Sequence, residues 1–152
     1  MHTKITTALL NQYAYDEKPS FSKEEKDPST NLTTRIELNG AGYITIMLLS
    51  DKQEVGRTIL SKANYMEILQ VNPAYRKHGY GKQLIAKAIA HCKAHKSPSM
   101  QWVAYAFNAY ESNENGLSQP DLVAFYKRCG GILNSAGYFT LDLTQPAALA
   151  LA

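Results

Sequence analysis

The sequence predicts an α/β domain in which helices flank a mixed, mostly antiparallel sheet. Three observations carry this. Between residues 32 and 71, four short segments of strand character succeed one another across tight turns. After Pro73 the apolar spacing changes from an alternating to a helical period. A further strand-like segment, a short capped helix and a hairpin complete the order strands, helix, strand, helix, strands.

Each element has its own local signal. Residues 5–15 fit a short helix or a strand equally well, and residues 16–31 hold Pro19, Pro28 and a Lys23-Glu24-Glu25-Lys26-Asp27 run that reads as an exposed loop or arm. Residues 32–38 alternate Leu, Thr, Ile and Leu on one face, and Asn39-Gly40-Ala41-Gly42 supplies a turn. Residues 43–49 form an unbroken apolar run, suited to a strand buried on both faces. Segments 55–60 and 65–71 complete an antiparallel meander. Leu84, Ile85, Ala88, Ile89 and Cys92 then mark one face of a helix over 79–96, stopped by Ser97-Pro98. Residues 100–107 return to strand composition, with Trp102 as a core residue, and 108–118 form a polar loop. Ser118-Gln119-Pro120-Asp121 opens a second helix with a capping hydroxyl and an early proline, and Gly130-Gly131 ends it. Residues 132–135 and 138–143 pair around Ala136-Gly137, leaving a small apolar tail. The expected organisation is an N-terminal segment (1–31), one domain (32–144) and a tail (145–152).

The chain has 152 residues, 45% of them apolar and 19% charged, enough for one hydrophobic core without staples and too apolar for disorder. Its apolar runs are too short to span a membrane or to act as a secretory signal, and two cysteines fit a reducing compartment, so a cytoplasmic protein is expected. The net charge of +3 conceals a skew: residues 58–99 carry +6 and the remainder −3. Such a cluster suits a localised anionic ligand better than a general nucleic-acid surface, because no aromatic residues interleave with it as in an RNA-binding motif. His91 and His95 are spaced i, i+4 beside Cys92, but no carboxylate lies nearby and Cys92 falls in the apolar stripe. They read as helix surface, and no metal is expected.

Most of the basic residues surround the stretch from Val71 to Lys82, between a strand and a helix N-terminus. Gly79-x-Gly81 lets backbone N–H groups approach a ligand closely, and the helix opening adds unpaired donors and a positive dipole. A Walker A ending is missing, and Leu84 stands where a dinucleotide fingerprint needs its third glycine.

Arg76-x-x-Gly79-x-Gly81, following Val71-x-Pro73-x-Tyr75, resembles the pyrophosphate-binding signature of the GNAT superfamily of acyl-CoA-dependent N-acyltransferases. Phe125-Tyr126 on the next helix, ahead of Gly130, matches a second family element. The resemblance implies a GNAT-like sheet and acetyl-CoA as co-substrate. It implies that the turn made by Arg76, Lys77, His78, Gly79, Tyr80, Gly81 and Lys82 wraps the pyrophosphate. It further implies that Leu69, Gln70 and Val71 match the strand positions that pair with the pantetheine arm, in a gap between splayed strands. Tyr126 matches the general acid, and a core aromatic is the plain alternative. Asn108 resembles an asparagine that contacts coenzyme A, with Asn115 or Ser118 as substitutes. For the general base, Glu67 is the one carboxylate between residues 55 and 108. Two-residue alternation puts it, half-buried, on a face with Tyr65, Leu69 and Val71. Family members that use a glutamate on this strand place it where Tyr65 stands, and Glu111 is a second candidate. The two helices the family inserts between its first strands are reduced here to a tight turn, which opens the acceptor side and favours a protein or peptide amine over an enclosed metabolite. The implied activity is acetyl transfer to a primary amine by direct attack in a ternary complex. The alternative is an acyl-CoA-binding module without chemistry. Membrane association is not expected, and the oligomeric state is left open, a dimer included.

Overall fold

The computed structural model describes residues 19–61, 64–104 and 117–144. Among them the strands are β1 (Pro19–Lys26), β2 (Thr33–Asn39), β3 (Ile44–Ser50), β4 (Gln53–Leu60), β5 (Tyr65–Val71), β6 (Ser99–Val103), β7 (Ile132–Leu133) and β8 (Tyr138–Asp142). The helices are α1 (Tyr80–Ala94) and α2 (Gln119–Arg128), with a short 3-10 turn at Pro73–Tyr75. The strands form one sheet in the order β1-β2-β3-β4-β5-β6-β8-β7. Every neighbouring pair is antiparallel except β5 and β6, which α1 links as a parallel crossover. The mixed, mostly antiparallel sheet with flanking helices is the predicted class.

The core follows the apolar pattern. Leu84, Ile85, Ala88, Ile89 and Cys92 of α1 are all fully buried and lie against β3, β4, β5 and β6. One cluster joins Ile85, Ala88, Ile89 and Cys92 to Ile46, Leu60, Met66, Met100, Trp102, Tyr126, Phe139 and Leu141; a smaller one gathers Leu32, Leu48, Val55 and Leu84. Along β3, Ile46, Met47, Leu48 and Leu49 are buried in succession, as a strand covered on both faces requires. α1 ends in left-handed Lys96 at φ +60°, with the Ser97 N–H donating to the Cys92 carbonyl. The β7–β8 hairpin turns at Gly137, φ +91°, while Asn134 Oδ1 accepts from the Ala136 and Tyr138 N–H groups.

One segment departs from expectation. Within residues 16–31, β1 is a strand rather than a loop or arm, laddered to β2 from Pro19 to Lys26. All eight of its residues are exposed. Uncovered on both faces, it needs no apolar alternation, so the sequence carries no periodic signal for it. Its hold is the backbone ladder plus an ion pair from Arg35 to Glu24 at 2.6 Å. Between β2 and β3 there is only a turn, closed by the Gly42 N–H on the Asn39 carbonyl, and no helix pair.

Two irregularities in the β4–β5 pairing shape the sheet beneath α1. Gly56 of β4 faces Val71, and a Cβ there would lie 2.5 Å from the Gln70 carbonyl oxygen and 3.1 Å from Leu84 Cδ1. Only glycine lets β5 lie this tightly against β4 beneath α1. Further along, Leu60 pairs with Met66 and Ile59 with Ile68, so Glu67 is an extra residue in a β-bulge.

Candidate active site

The turn after β5 is built from local hydrogen bonds. The Asn72 N–H donates to the Val55 carbonyl at 2.8 Å, continuing the ladder by one residue. Its side chain then accepts from the Ala74 N–H and starts the Pro73–Tyr75 turn. Arg76 Nε donates to the Val71 carbonyl at 2.9 Å, folding the segment back over the end of β5. Lys77 and Gly79 adopt left-handed φ values of +67° and +82°. Gly79 caps α1 without any side-chain bond, and the first turn holds no acidic residue. The first N–H to bond within the helix is that of Gln83, to the Gly79 carbonyl. The N–H groups of Tyr80, Gly81 and Lys82 therefore point out of the helix end with the positive dipole behind them. Nothing lies within 4 Å of where a Gly79 Cβ would be, so the space before these donors is open. Lys77, His78 and Lys82 are exposed around it. Tyr75 and Tyr80 meet edge to face at 6.3 Å, His78 tilts against Tyr80 at 6.2 Å, and the Tyr75 hydroxyl donates to Gln53 Oε1. A diphosphate fits this cradle: open space, a row of free donors and cationic side chains.

Beside the turn, the sheet opens. Among the described residues β5 and β6 pair only at Tyr65–Gln101 and Met66–Trp102, and the ladder does not continue past the bulge at Glu67. Ile68 and Asn72 direct their backbone groups to the β4 side, the Ile68 carbonyl accepting from Thr58 Oγ1 at 2.9 Å. By alternation, Leu69 and Val71 face the gap. The Val71 carbonyl is taken by Arg76, which leaves the Leu69 N–H and carbonyl as the pair a bound chain could bridge. The Gln70 backbone faces β4, and its side-chain nitrogen is buried with no hydrogen-bond partner among the described residues.

Tyr126 packs from α2 onto the rings of β6 and β8. Ser118 caps that helix by accepting the Asp121 N–H, so its hydroxyl already has a structural task. Phe125 lies 3.8 Å from the Cβ position of Gly81, tying α2 to the start of α1. Tyr126 turns inward, 5% exposed, with ring centroids 5.4 Å from Trp102 and 5.5 Å from Phe139. Burial pushes its phenol pKa well up, and the neighbouring Cys129 adds to the shift, so the hydroxyl stays protonated at any physiological pH.

The bulge changes the expected position of Glu67. Met66, Leu69 and Val71 pair with Leu60, Thr58 and Gly56, which share one face; Ile68 and Gln70 pair with Ile59 and Arg57 on the other. Tyr65 therefore lies on the face opposite Leu69 and Val71, not with them as strict alternation requires. Glu67 sits beside Tyr65 and is exposed rather than half-buried. Partial desolvation still raises its carboxyl above the usual range. The structure thus gathers Leu69, Val71, Arg76, Lys77, His78, Gly79, Tyr80, Gly81 and Lys82 around one cradle. Tyr126 lies on the helix side of the sheet and Glu67 beside Tyr65. Asn108, Glu111 and Asn115 lie outside the described residues. His91 and His95 stack at 4.2 Å on α1, and no group of three metal-ligating side chains occurs among the described residues. Tyr65 and Tyr138, which meet edge to face at 6.5 Å beside Glu67, were not singled out by the sequence. Only the β5-β6-β8 order joins them, and no local pattern encodes that order.

Comparison with known proteins agrees with this geometry. The family model described as an acetyltransferase (GNAT) domain matches residues 40–130. A GNAT-family acetyltransferase structure from Desulfovibrio desulfuricans superposes with a TM-score of 0.52 at 17% identity, covering 67% of this chain and 70% of that one. A Bacillus anthracis structure assigned as a streptothricin acetyltransferase, in complex with acetyl coenzyme A, gives a TM-score of 0.50 at 26% identity over 66% of this chain and 62% of its own. The ribosomal-protein-S18-alanine N-acetyltransferase of Escherichia coli gives 0.50 at 15% identity over 66% and 69%. No curated protein matches the chain. No helix among the described residues is long and apolar enough to cross a membrane.

Proposed function

Because the chain belongs to the GNAT acetyltransferase family, we propose that it moves an acetyl group from acetyl-CoA to a primary amine by direct attack in a ternary complex. The observation that supports this most is the parting of β5 from β6 one residue beyond Met66, with a phosphate-accepting turn at the far end of the same strand. A single extended thioester bridges those features. Its pyrophosphate lies on the Tyr80, Gly81 and Lys82 amides, its pantetheine amides pair with Leu69, and its carbonyl reaches the opening.

The chain's own groups then handle the protons. Glu67, whose raised pKa makes it a better proton acceptor than an ordinary carboxylate, takes one proton from the ammonium, directly or through water. The amine nitrogen attacks the thioester carbon. The new C–N bond forms as the C–S bond breaks, and Tyr126 gives its proton to the departing thiolate. The nitrogen's second proton restores the phenol. The balance is an ammonium and acetyl-CoA in, and an amide, free coenzyme A and one proton out.

Glu67→Gln is expected to lower kcat/KM by about tenfold and to flatten the acidic limb of its pH profile; the loss stays moderate because solvent reaches this exposed position. The folded pKa of Glu67 is raised, so the folded chain holds this proton more tightly than the unfolded one. That contribution is full below the unfolded pKa and lost as pH rises through the folded one. Thermal melts of Glu67→Gln at pH 7 should therefore show no loss of stability.

The binding half of the reading is tested by a melt with acetyl-CoA. At about 100 times its Kd the ligand should stabilise the fold by roughly 2.7 kcal/mol, a rise in Tm of about 5–10 °C at this size. No shift, beside a family member that does shift, overturns the reading. Binding without acetylation of any amine would instead make the chain an acyl-CoA-binding module.

A further inference from the structure

On the sheet face opposite α1, beside the place where β5 and β6 part, two tyrosine rings and a carboxylate come together. Tyr65 stands on β5 just before the bulge, and Tyr138 begins β8 opposite Val103 of β6. Their rings meet edge to face at 6.5 Å and 68°. Tyr138 is 43% exposed and Tyr65 half-buried, so the pair forms an open wall and not a core contact. Glu67 stands two residues after Tyr65; its negative charge, after burial, is what raises the Tyr65 phenol.

The charged side chains nearest the pair are acidic. Along β5, β6 and β8 this face carries Tyr65, Gln101, Val103, Tyr138, Thr140 and Asp142, with Glu67 beside them. It includes no lysine, arginine or histidine among the described residues. Of the basic residues of the chain's +6 segment, Arg76 and Lys77 lie in the turn and Lys82, Lys87 and Lys93 on α1. We propose that Tyr65, Tyr138 and Glu67 form the acceptor subsite, and that it selects a protonated alkylamine on a flexible stem with no anionic group beside it: a lysine side chain or a polyamine, not a free amino acid or an arylamine. The ring faces attract the ammonium through their quadrupoles, and the carboxylate neutralises it. A free amino acid would bring its own carboxylate beside Glu67 and Asp142, where β5, β6 and β8 present no cation on this face among the described residues and Arg57 on β4 is already paired with Glu54. An arylamine, neutral near pH 7, forfeits both attractions.

This inference rests on the acetyltransferase reading, and its test separates the two. Spermidine and Nα-acetyl-lysine methylamide, with alanine and p-anisidine as controls, are titrated calorimetrically into the protein saturated with coenzyme A, where no transfer occurs. The same amines are assayed with acetyl-CoA. The two alkylammonium probes should bind, and the controls should bind at least about tenfold more weakly. Tyr65→Leu and Tyr138→Leu should each weaken alkylammonium binding by about 2- to 30-fold, the range of a cation–π contact. They should leave the acetyl-CoA Kd within about twofold, and Tyr65→Phe should retain binding. Tyr138→Leu alters an exposed side chain, so its result stands even where Tyr65→Leu perturbs folding. Equal binding of the controls, or unchanged alkylammonium affinity in Tyr138→Leu, overturns the subsite. Alkylammonium binding that depends on the tyrosines, with no acetylation, upholds the subsite and sinks the transfer reaction alone.

Discussion

Tyr126→Phe is expected to lower kcat by on the order of 10²–10⁴ while leaving the acetyl-CoA Kd and the melting temperature nearly unchanged. The ring is part of the aromatic core, packed on Trp102 and Phe139 and only 5% exposed, and phenylalanine refills that volume. What is lost is the phenol hydroxyl, held in its protonated form by burial and the proton donor of the proposed mechanism. Without it the thiolate leaves unprotonated, and the cost falls on the chemical step, not on binding. Single-turnover measurement at saturating acetyl-CoA and amine reads that step directly. An unchanged rate would return Tyr126 to the role of a core aromatic and leave the cofactor site untouched.

Trp102→Ala should be the most damaging single change to the fold, at about 3–5 kcal/mol. The indole is fully buried, stacks on Phe139 at 5.6 Å and 9°, and meets Tyr126 edge to face. The ring also lies against Gly131, where a Cβ would come within 2.9 Å of it, so the indole is tightly packed on that side too. At roughly 2–4 °C per kcal/mol for a domain near this size, the melting temperature should drop by about 6–20 °C. The indole N–H adds an opposing effect, since it is buried with no hydrogen-bond partner among the described residues. Trp102→Phe removes that orphan donor along with some ring area. The two effects oppose, and the change should stay within about 1–2 kcal/mol. Equal damage from Ala and Phe would show that the core does not depend on the ring's volume.

The glycine turn ahead of α1 was legible because every part of it is local. Gly79 and Gly81, the basic residues and the start of the helical period lie within a dozen residues, and each has a fixed physical meaning wherever it occurs. The buried stripe of α1 and the Ser118 cap of α2 were readable for the same reason. β1 was not, because an uncovered strand carries no apolar rhythm. Nor was the true face of Tyr65. A bulge is a mismatch in counting between two strands, and the sequence of β5 looks the same with or without it.

From its sequence alone this protein has a settled fold class: short-range patterns of glycine, charge and periodicity determine helix ends, the identities of the covered strands and the glycine turn before α1. Tertiary structure alone decided where the opposing chemical groups lie. The register of β4 on β5 moves Tyr65 across the sheet, and the insertion of β8 beside β6 carries Tyr138 to meet it. Both depend on hydrogen-bonded pairing between residues far apart in the chain, where no local preference discriminates one register from the next.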